Sequence, residues 1–519
     1  MTGKMKLTDS ENILKLVNER VEAERVEYQK ADSDRESSPF LSEKILKALN
    51  RNEDGDASLF IEVHQGLFCF DHAADRWYEW AGHFWREDTV DRATEGLNAV
   101  IDLYSEEAQR QAWNRVKTEK AGKSEQAKKD EATEDALLKR IRALQTRGRK
   151  ENVLFLARTG TASLGITGEQ WDLNPWLLGC LNGVIDLRTG EHRSGRPDDF
   201  IRTVAPTEWK GIDESAATWE RFLDGIFDGD SGLIGFIQRL FGYCVTGQTT
   251  EHISPILWGR GRNGKGTLLE TLGYVLGPYA GPLEGELILR QKFSKPSGGP
   301  SSDIMTLRGK RLVWCSETDE GRKLNAGKVK WLSGGDTLTG REVYGKRQTS
   351  FRPTHKLLLL TNHKPHANAN DYALWKRIIL IPFNLSFVNE PTLPNERQAD
   401  TTLPDRLRAE ASGILAWLVR GCLEWQRMEL NPPVIVKDSI ESYRQEEDVI
   451  GLFIEERCQT GPEFEIRAGD LYRAFKVWAE ENGIRAVTGS SFGKEFKERF
   501  ASAKNYKGVF YRGVSLSGP

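Results

Sequence analysis

Apolar residues recur with more than one period along this chain, and the changes of period mark out its parts. Ile13, Val17 and Val21, spaced by four in a charged stretch, suggest one helix before the polar run Lys30 to Ser38. From Phe60 the character changes. Trp77, Tyr78, Trp80, Phe84 and Trp85 crowd a segment with turn signals at Asp75-Arg76 and Ala81-Gly82, which predicts short strands around an aromatic core. Between Arg115 and Lys150 the chain is highly charged, with Leu137, Leu138, Ile141 and Leu144 as its main large apolar residues, and reads as solvated helices. Leu177 to Glu191 reads as a strand, a tight turn at Asn182-Gly183, a second strand and another turn. After Trp219, the spacing of Phe222, Ile226, Leu233, Phe236, Ile237 and Leu240 is helical.

The next apolar runs are short and strand-like: Ile256 to Trp258, Arg311 to Ser316, Lys356 to Leu360 and Ile378 to Ile381. Leu268, Leu269, Leu272, Val275 and Leu276, between the first two, have helical spacing. The last segment reads as one helix over Ile440 to Glu456, a second through Leu471, Phe475 and Trp478 that stops at Gly483, a third through Phe492, Phe496 and Phe500, and a strand pair around Lys507-Gly508. That is a winged-helix pattern.

A chain of 519 residues suggests about three domains at ~150 residues each. With a formal net charge of -3, no global positive field draws it onto nucleic acid, so phosphate contacts require local basic patches. The six cysteines include no C-x-x-C pair, which argues against a zinc knuckle or a secreted disulfide scaffold and for a reducing, cytoplasmic setting. No apolar run approaches the ~20 residues of a membrane span, so a soluble, unanchored protein is expected.

The chemistry concentrates in G-R-G-R-N-G-K-G-T, Gly259 to Thr267, which lies between an apolar strand and a helix. Phosphate binding needs that order: glycines let consecutive N–H groups turn toward the oxygens, and a helix N-terminus adds its positive dipole end. Gly259, Gly261, Asn263, Gly264, Lys265, Gly266 and Thr267 form the expected nucleotide cradle, with Lys265 reaching the β- and γ-phosphates. The usual pattern has Ser or Thr directly after the lysine. Here Gly266 intervenes, so the Mg²⁺-linked hydroxyl is assigned to Thr267. Glu317, at the end of a buried strand, is expected to hold Mg²⁺ through water and to orient the attacking water, with Asp319 and Glu320 as alternatives. Asn362 follows the third strand, where an amide positions water against the γ-phosphate. Arg377 is a candidate arginine finger, because a planar guanidinium matches the spread charge of phosphoryl transfer.

Together these residues resemble superfamily 3 helicases of the poxvirus and phage-plasmid primase-helicase family. The resemblance rests on Gly261 to Lys265, Ser316 to Thr318, Ser333 to Asp336, Thr361-Asn362, Arg377 before Ile381-Pro382-Phe383, and the N-G-V-I-D-L-R-T-G run at Asn182 to Gly190. It implies an α/β fold: a P-loop AAA+-like superfamily 3 ATPase core, an α+β N-terminal domain and a C-terminal winged helix. The expected divisions are a charged arm (1–50), the N-terminal domain (51–205), a helical collar (206–250), the ATPase domain (251–400), a helical connection (401–437) and the winged helix (438–519). It further implies a hairpin carrying Lys346, with Arg347 as second choice, to the DNA backbone in a ring's central channel. ATP and Mg²⁺ are the implied cofactors. The implied partners are single-stranded or forked DNA, other copies of the chain in a homohexamer, and a separate primase or initiator. Lys494, Lys497, Arg499, Lys504, Lys507 and Arg512 on the last helix and wing form a plausible phosphate-facing patch, with protein docking as the alternative.

The family's usual primase is not expected in this chain, because only about 60 residues precede the aromatic segment, against the ~150 a polymerising domain needs. The D-x-D strings at Asp32 to Asp34, Asp54 to Asp56 and Asp228 to Asp230 read as turn-like and polar. The function expected is an ATP-dependent replicative DNA helicase of a phage, plasmid or similar element. A non-unwinding ATPase platform that recruits a primase or initiator is the alternative.

Overall fold

The computed structural model describes residues 39–290, 302–316, 321–341, 348–484, 486–506 and 508–517. The expected helix at Ile13 to Val21 lies outside them, as do Asp32 to Asp34, Glu317, Asp319, Glu320, Lys346, Arg347 and Lys507.

The first part is helical, with a small sheet at its side. Helices Pro39–Leu49, Asn52–His64, Leu97–Lys120, Ser124–Leu144 and Arg147–Ala157 enclose Phe60, Leu97, Val100, Tyr104, Leu137 and Val153. Strands Phe68–Asp71, Arg76–Trp80 and Trp85–Glu87 pair antiparallel, and Gly165–Ile166 joins the edge in parallel. The aromatic crowding resolves as expected: Tyr78 and Trp85 are buried with Cys69 and Trp171.

One expectation fails here. Asp54 to Asp56 is not a turn but lies within the helix Asn52–His64, and Asp56 is completely buried. Its carboxylate accepts from Arg140 Nη1 at 2.7 Å, Tyr104 Oη at 2.7 Å and Arg149 Nη2 at 2.6 Å. A polar string invites a turn reading, but two arginines from helices more than 80 positions away make burial of this carboxylate tolerable.

Leu177–Cys180 and Gly183–Asp186 form the expected hairpin, extended by Glu191–Arg193. Cys180 pairs with Gly183, so the turn residues are Leu181 and Asn182, one position earlier than anticipated. Asn182 is held by Trp209, whose N–H it accepts at 2.9 Å and whose carbonyl receives its amide at 2.8 Å. Helices Ala217–Ile226 and Ser231–Cys244 follow. The second is capped by Asp230, whose carboxylate accepts from Leu233 N at 2.9 Å.

Five parallel strands make the central sheet: Ser254–Trp258, Ala280–Leu283, Leu312–Ser316, Lys356–Thr361 and Ile378–Pro382. Numbered in chain order, they stand side by side as fifth, first, fourth, third, second. Each interior strand is a near-continuous apolar run, as burial on both faces requires. The collar helices, the helix Ala411–Met428 and one sheet face share a core built on Trp219, Phe236, Leu269 and Leu418.

The end of the chain corrects another expectation. Ile440 to Glu456 is two helices, Val434–Glu446 and Val449–Arg457, because Asp448 caps the second by accepting from Gly451 N at 2.9 Å. The first packs on the sheet core through Tyr443. The second joins helices Ala468–Glu481 and Gly489–Arg499 and the antiparallel strands Cys458–Arg467, Ser502–Asn505 and Gly508–Leu516 around Phe453, Phe475, Trp478 and Phe492.

Candidate nucleotide site

The strand Ser254–Trp258 delivers the glycine loop to the carboxyl edge of the sheet, and the helix Lys265–Leu276 leaves from it. Two conformations open the loop: Arg262 at φ 61° and Gly264 at φ 85°. A side chain at Gly264 would strike Ile226, and one at Gly259 would strike the Phe383 carbonyl, so crowding within the chain explains both glycines. Gly261 and Gly266 are different. A methyl group there would project into open space, with nothing beyond its immediate chain neighbours within 4 Å.

Lys265 is buried, 6% exposed, and its ammonium donates to the Gly259 carbonyl at 2.5 Å and reaches Asn362 Oδ1 at 3.4 Å. Burial pulls its pKa down to about 8. Asn263, 3% exposed, has an amide nitrogen buried without a hydrogen-bond partner. The first N–H groups of the helix have no intrahelical acceptor. A buried ammonium with a single close acceptor, an orphaned amide and a helix N-terminus are what an anion such as a phosphate would satisfy. Thr267 stands half-exposed on the first helical turn, and Asn362 is exposed at the end of the neighbouring strand.

Arg377 is not brought to this cluster. It immediately precedes the strand Ile378–Pro382, whose first residue pairs with Ser254, so it lies at the amino edge of the sheet. A five-residue strand separates it from the loop, roughly 16 Å at ~3.3 Å per residue, further than its own side chain can bridge. Its Nη1 donates to Ala373 O at 2.7 Å, and its Nε is buried without a partner. Further along, Leu338–Gly340 pairs antiparallel with Thr349–Phe351, as the expected hairpin requires of its flanks, while residues 342–347 lie outside the described ones.

Sequence reasoning missed the residues that hold the loop after Asn362. Glu446 pairs with Lys364 at 2.7 Å, and that ammonium also lies 4.5 Å from the ring of Trp258, next to the glycine loop. Glu447 accepts from Ala367 N at 2.8 Å and lies 3.1 Å from His366 Nδ1, while Tyr443 donates to the Pro365 carbonyl. Sequence spacing carries no signal for such contacts, which join residues about 80 positions apart.

Residues 57–228 match the family model described as D5 N terminal like, and residues 445–512 match the one described as Poxvirus D5 protein-like. These two matches, together with the relatives that follow, support a member of the poxvirus D5-like primase-helicase family. Between those two matches, residues 257–377 of this D5-like chain match a family of unknown function. A protein of Acanthamoeba polyphaga mimivirus named "Putative helicase" is 29% identical over 457 residues, covering 84% of this chain and 47% of its own. A Frog virus 3 protein with the same designation is 25% identical, covering 69% and 44%, and an African swine fever virus protein named "Putative primase" is 24% identical, covering 60% and 34%. The chain thus spans less than half the length of these relatives. The apo structure of the NrS-1 C terminal region is 13% identical and covers 59% of this chain and 78% of that one, with a TM-score of 0.35. Among the described residues, no helix is long and apolar enough to cross a membrane.

Proposed function

We propose that this chain is the ATP-hydrolysing motor of a viral replicative DNA helicase, working as a ring of identical subunits on single-stranded or forked DNA. The observation that carries the reading is Lys265: a buried cation held by exchangeable acceptors inside a glycine loop at the carboxyl edge of a parallel sheet. Gly259, Gly261, Asn263, Gly264 and Gly266 shape the cradle. Lys265 neutralises the transferred phosphoryl group, and Asn362 orients the attacking water. Thr267 and Glu317, the residue after the strand Leu312–Ser316, would hold Mg²⁺, which supplies charge neutralisation of the phosphate oxygens when bound. Arg377 acts on the nucleotide of the neighbouring subunit. Its place at the opposite sheet edge supports this, because it lies too far from its own loop. Lys346 and Arg347, which lie in sequence between the paired strands Leu338–Gly340 and Thr349–Phe351, track the DNA backbone in the channel.

The names of the relatives, helicase and primase proteins of large DNA viruses, support the same reading. The deciding experiment measures ATP hydrolysis and strand displacement on forked DNA. DNA-stimulated turnover with displacement is expected. Turnover indifferent to DNA and no displacement would overturn the motor reading in favour of a recruitment platform.

A further inference from the structure

The C-terminal unit carries a surface that the nucleotide site does not use. Helix Gly489–Arg499 packs through Phe496 on Tyr511 of the strand Gly508–Leu516, whose neighbour is Ser502–Asn505, and a cleft of about 550 Å³ runs beside it, lined by Ser490, Gly493, Lys494, Lys497 and Glu498. The exposed positions of the helix are Gly489, Ser490, Lys494, Lys497 and Glu498, while Gly493 is half-buried beside the Tyr511 hydroxyl, which donates to its carbonyl at 3.3 Å. The hydrophobic side, Phe492 and Phe496, is locked into the core.

The charges around this face are sorted. Arg499 is committed to Asp448 at 2.5 Å, Arg512 to Glu465 at 3.3 Å and Arg457 to Glu481 at 2.6 Å, so those acids are already matched. Lys494, Lys497 and Lys504 are exposed and point their charge to solvent. Exposed Arg467 lies by the turn that joins the two strands, 3.6 Å from where a side chain at Gly508 would begin. Tyr506 in the same turn is 92% exposed. Two of the six basic residues expected to face phosphate, Arg499 and Arg512, are therefore tied up in ion pairs, and Arg467 is an unforeseen addition.

We propose that this face docks duplex DNA, with helix Gly489–Arg499 entering the major groove and Lys504, Arg467 and the strand turn resting on the flanking phosphates. The helix has 11 residues, roughly 16 Å at 1.5 Å per residue, and a major groove about 12 Å wide admits a helix of this kind. Glu498 is the carboxylate among the lysines. It weakens attraction to bare phosphate but offers an acceptor to the amino group of a cytosine edge. This site uses none of the residues of the motor reading and does not depend on it, since duplex docking needs neither ATP nor a ring.

The test uses the full chain without nucleotide, a labelled short blunt duplex and a single strand of equal length, with affinity measured across a salt series. Lys494→Ala/Lys497→Ala should weaken duplex binding several-fold and lower the slope of log affinity against log salt by about two, at ~0.9 per phosphate contact. ATPase activity and single-strand affinity should be unchanged. Both substitutions are exposed, so folding should survive, and Glu498→Gln should tighten duplex binding in the opposite direction. An unchanged duplex affinity and slope would overturn the proposal and leave a protein partner for this face. A loss confined to the single strand would overturn it too, making the cleft a single-strand groove.

Discussion

The two edges of the parallel sheet bury cations in opposite ways. At the amino edge, Arg311 donates to Val245 O at 2.6 Å and to Leu177 O at 2.5 Å, with its guanidinium 4.8 Å from the Tyr279 ring. Beside it, Lys356 donates to the carbonyls of Thr246, Gln248 (3.2 Å) and Thr354 (3.2 Å) and lies 4.8 Å from the Tyr243 ring. These carbonyls include the C-terminal end of the collar helix, where positive charge is favoured by the helix dipole. At the carboxyl edge, Lys265 has one close acceptor and one distant one. A cation saturated by backbone carbonyls is a rivet. A cation with vacant valence next to an orphaned amide is a site. Burial alone therefore does not distinguish structure from function; the completeness of the hydrogen bonding does.

The largest expected effect separates the two edges by activity. Lys265→Ala should abolish ATP hydrolysis, a loss of 10³-fold or more, and lower the thermal midpoint much less than Arg311→Ala, because a single close hydrogen bond is lost rather than two in the core. Retained turnover would remove Lys265 from the chemistry. Arg377→Ala should also lose on the order of 10³ in turnover. Mixing Arg377→Ala with Lys265→Ala subunits should restore measurable ATPase, since some interfaces then join an intact loop to an intact finger. If native mass spectrometry confirms mixed assemblies and none regains activity, Arg377 does not act across an interface.

Arg311→Ala should show the reverse of Lys265→Ala. Leaving the Val245 and Leu177 carbonyls unpaired in the core costs about 3 kcal/mol or more, read as a lowered denaturation midpoint. A drop below ~1 kcal/mol would mean that water replaces the guanidinium and the rivet is dispensable.

The smallest effects are in pH. Burial lowers Lys356 to about 7, whereas an unfolded lysine titrates near ~10.4, so between those values the unfolded chain holds a proton the folded chain lacks. Stability should therefore rise with pH across that window and be lost as pH falls toward 7, and Lys356→Met should flatten the slope. For Lys265 the sign is opposite, because phosphate favours the ammonium: nucleotide affinity should fall as pH climbs through about 8, by at most tenfold per unit, with proton uptake on binding. A calorimetric titration that finds no proton uptake in two buffers at pH 8.5 would contradict that coupling.

Much of this was legible in the sequence. The glycine loop between an apolar strand and a helix, four of the five strands of the parallel sheet and the hairpin at Leu177 to Asp186 all follow from local pattern, since each depends on neighbours a few residues away. What escaped depends on distant partners. Arg311 and Lys356 read as ordinary charges before apolar runs, because the carbonyls they satisfy lie 66 and 110 positions away. The strand Cys458–Arg467 was hidden by Gly461-Pro462, which resembles a turn but sits where the register shifts between Thr460 and Glu465. The break at Glu447-Asp448 was masked by a helical period that continues through it. The hydrogen-bonding state of Lys265 was invisible too. Its spacing marks it as a phosphate lysine, but only packing shows how little else holds it.

The helix Val434–Glu446 carries one more consequence. Between it and the C-terminal unit lie only Glu447, held by the backbone of Ala367, and Asp448, which caps the next helix and pairs with Arg499. Neither residue is a slack linker. Five contacts from Tyr443 to Glu447 seize the loop that follows Asn362, counting Tyr443 to Pro365, Arg444 to Ala369, Glu446 to Lys364, and Glu447 to both His366 and Ala367. Mechanically this is a stiff joint rather than a tether. These contacts give the last seventy residues a direct mechanical path to the strand end carrying Asn362, and that strand end the same path back.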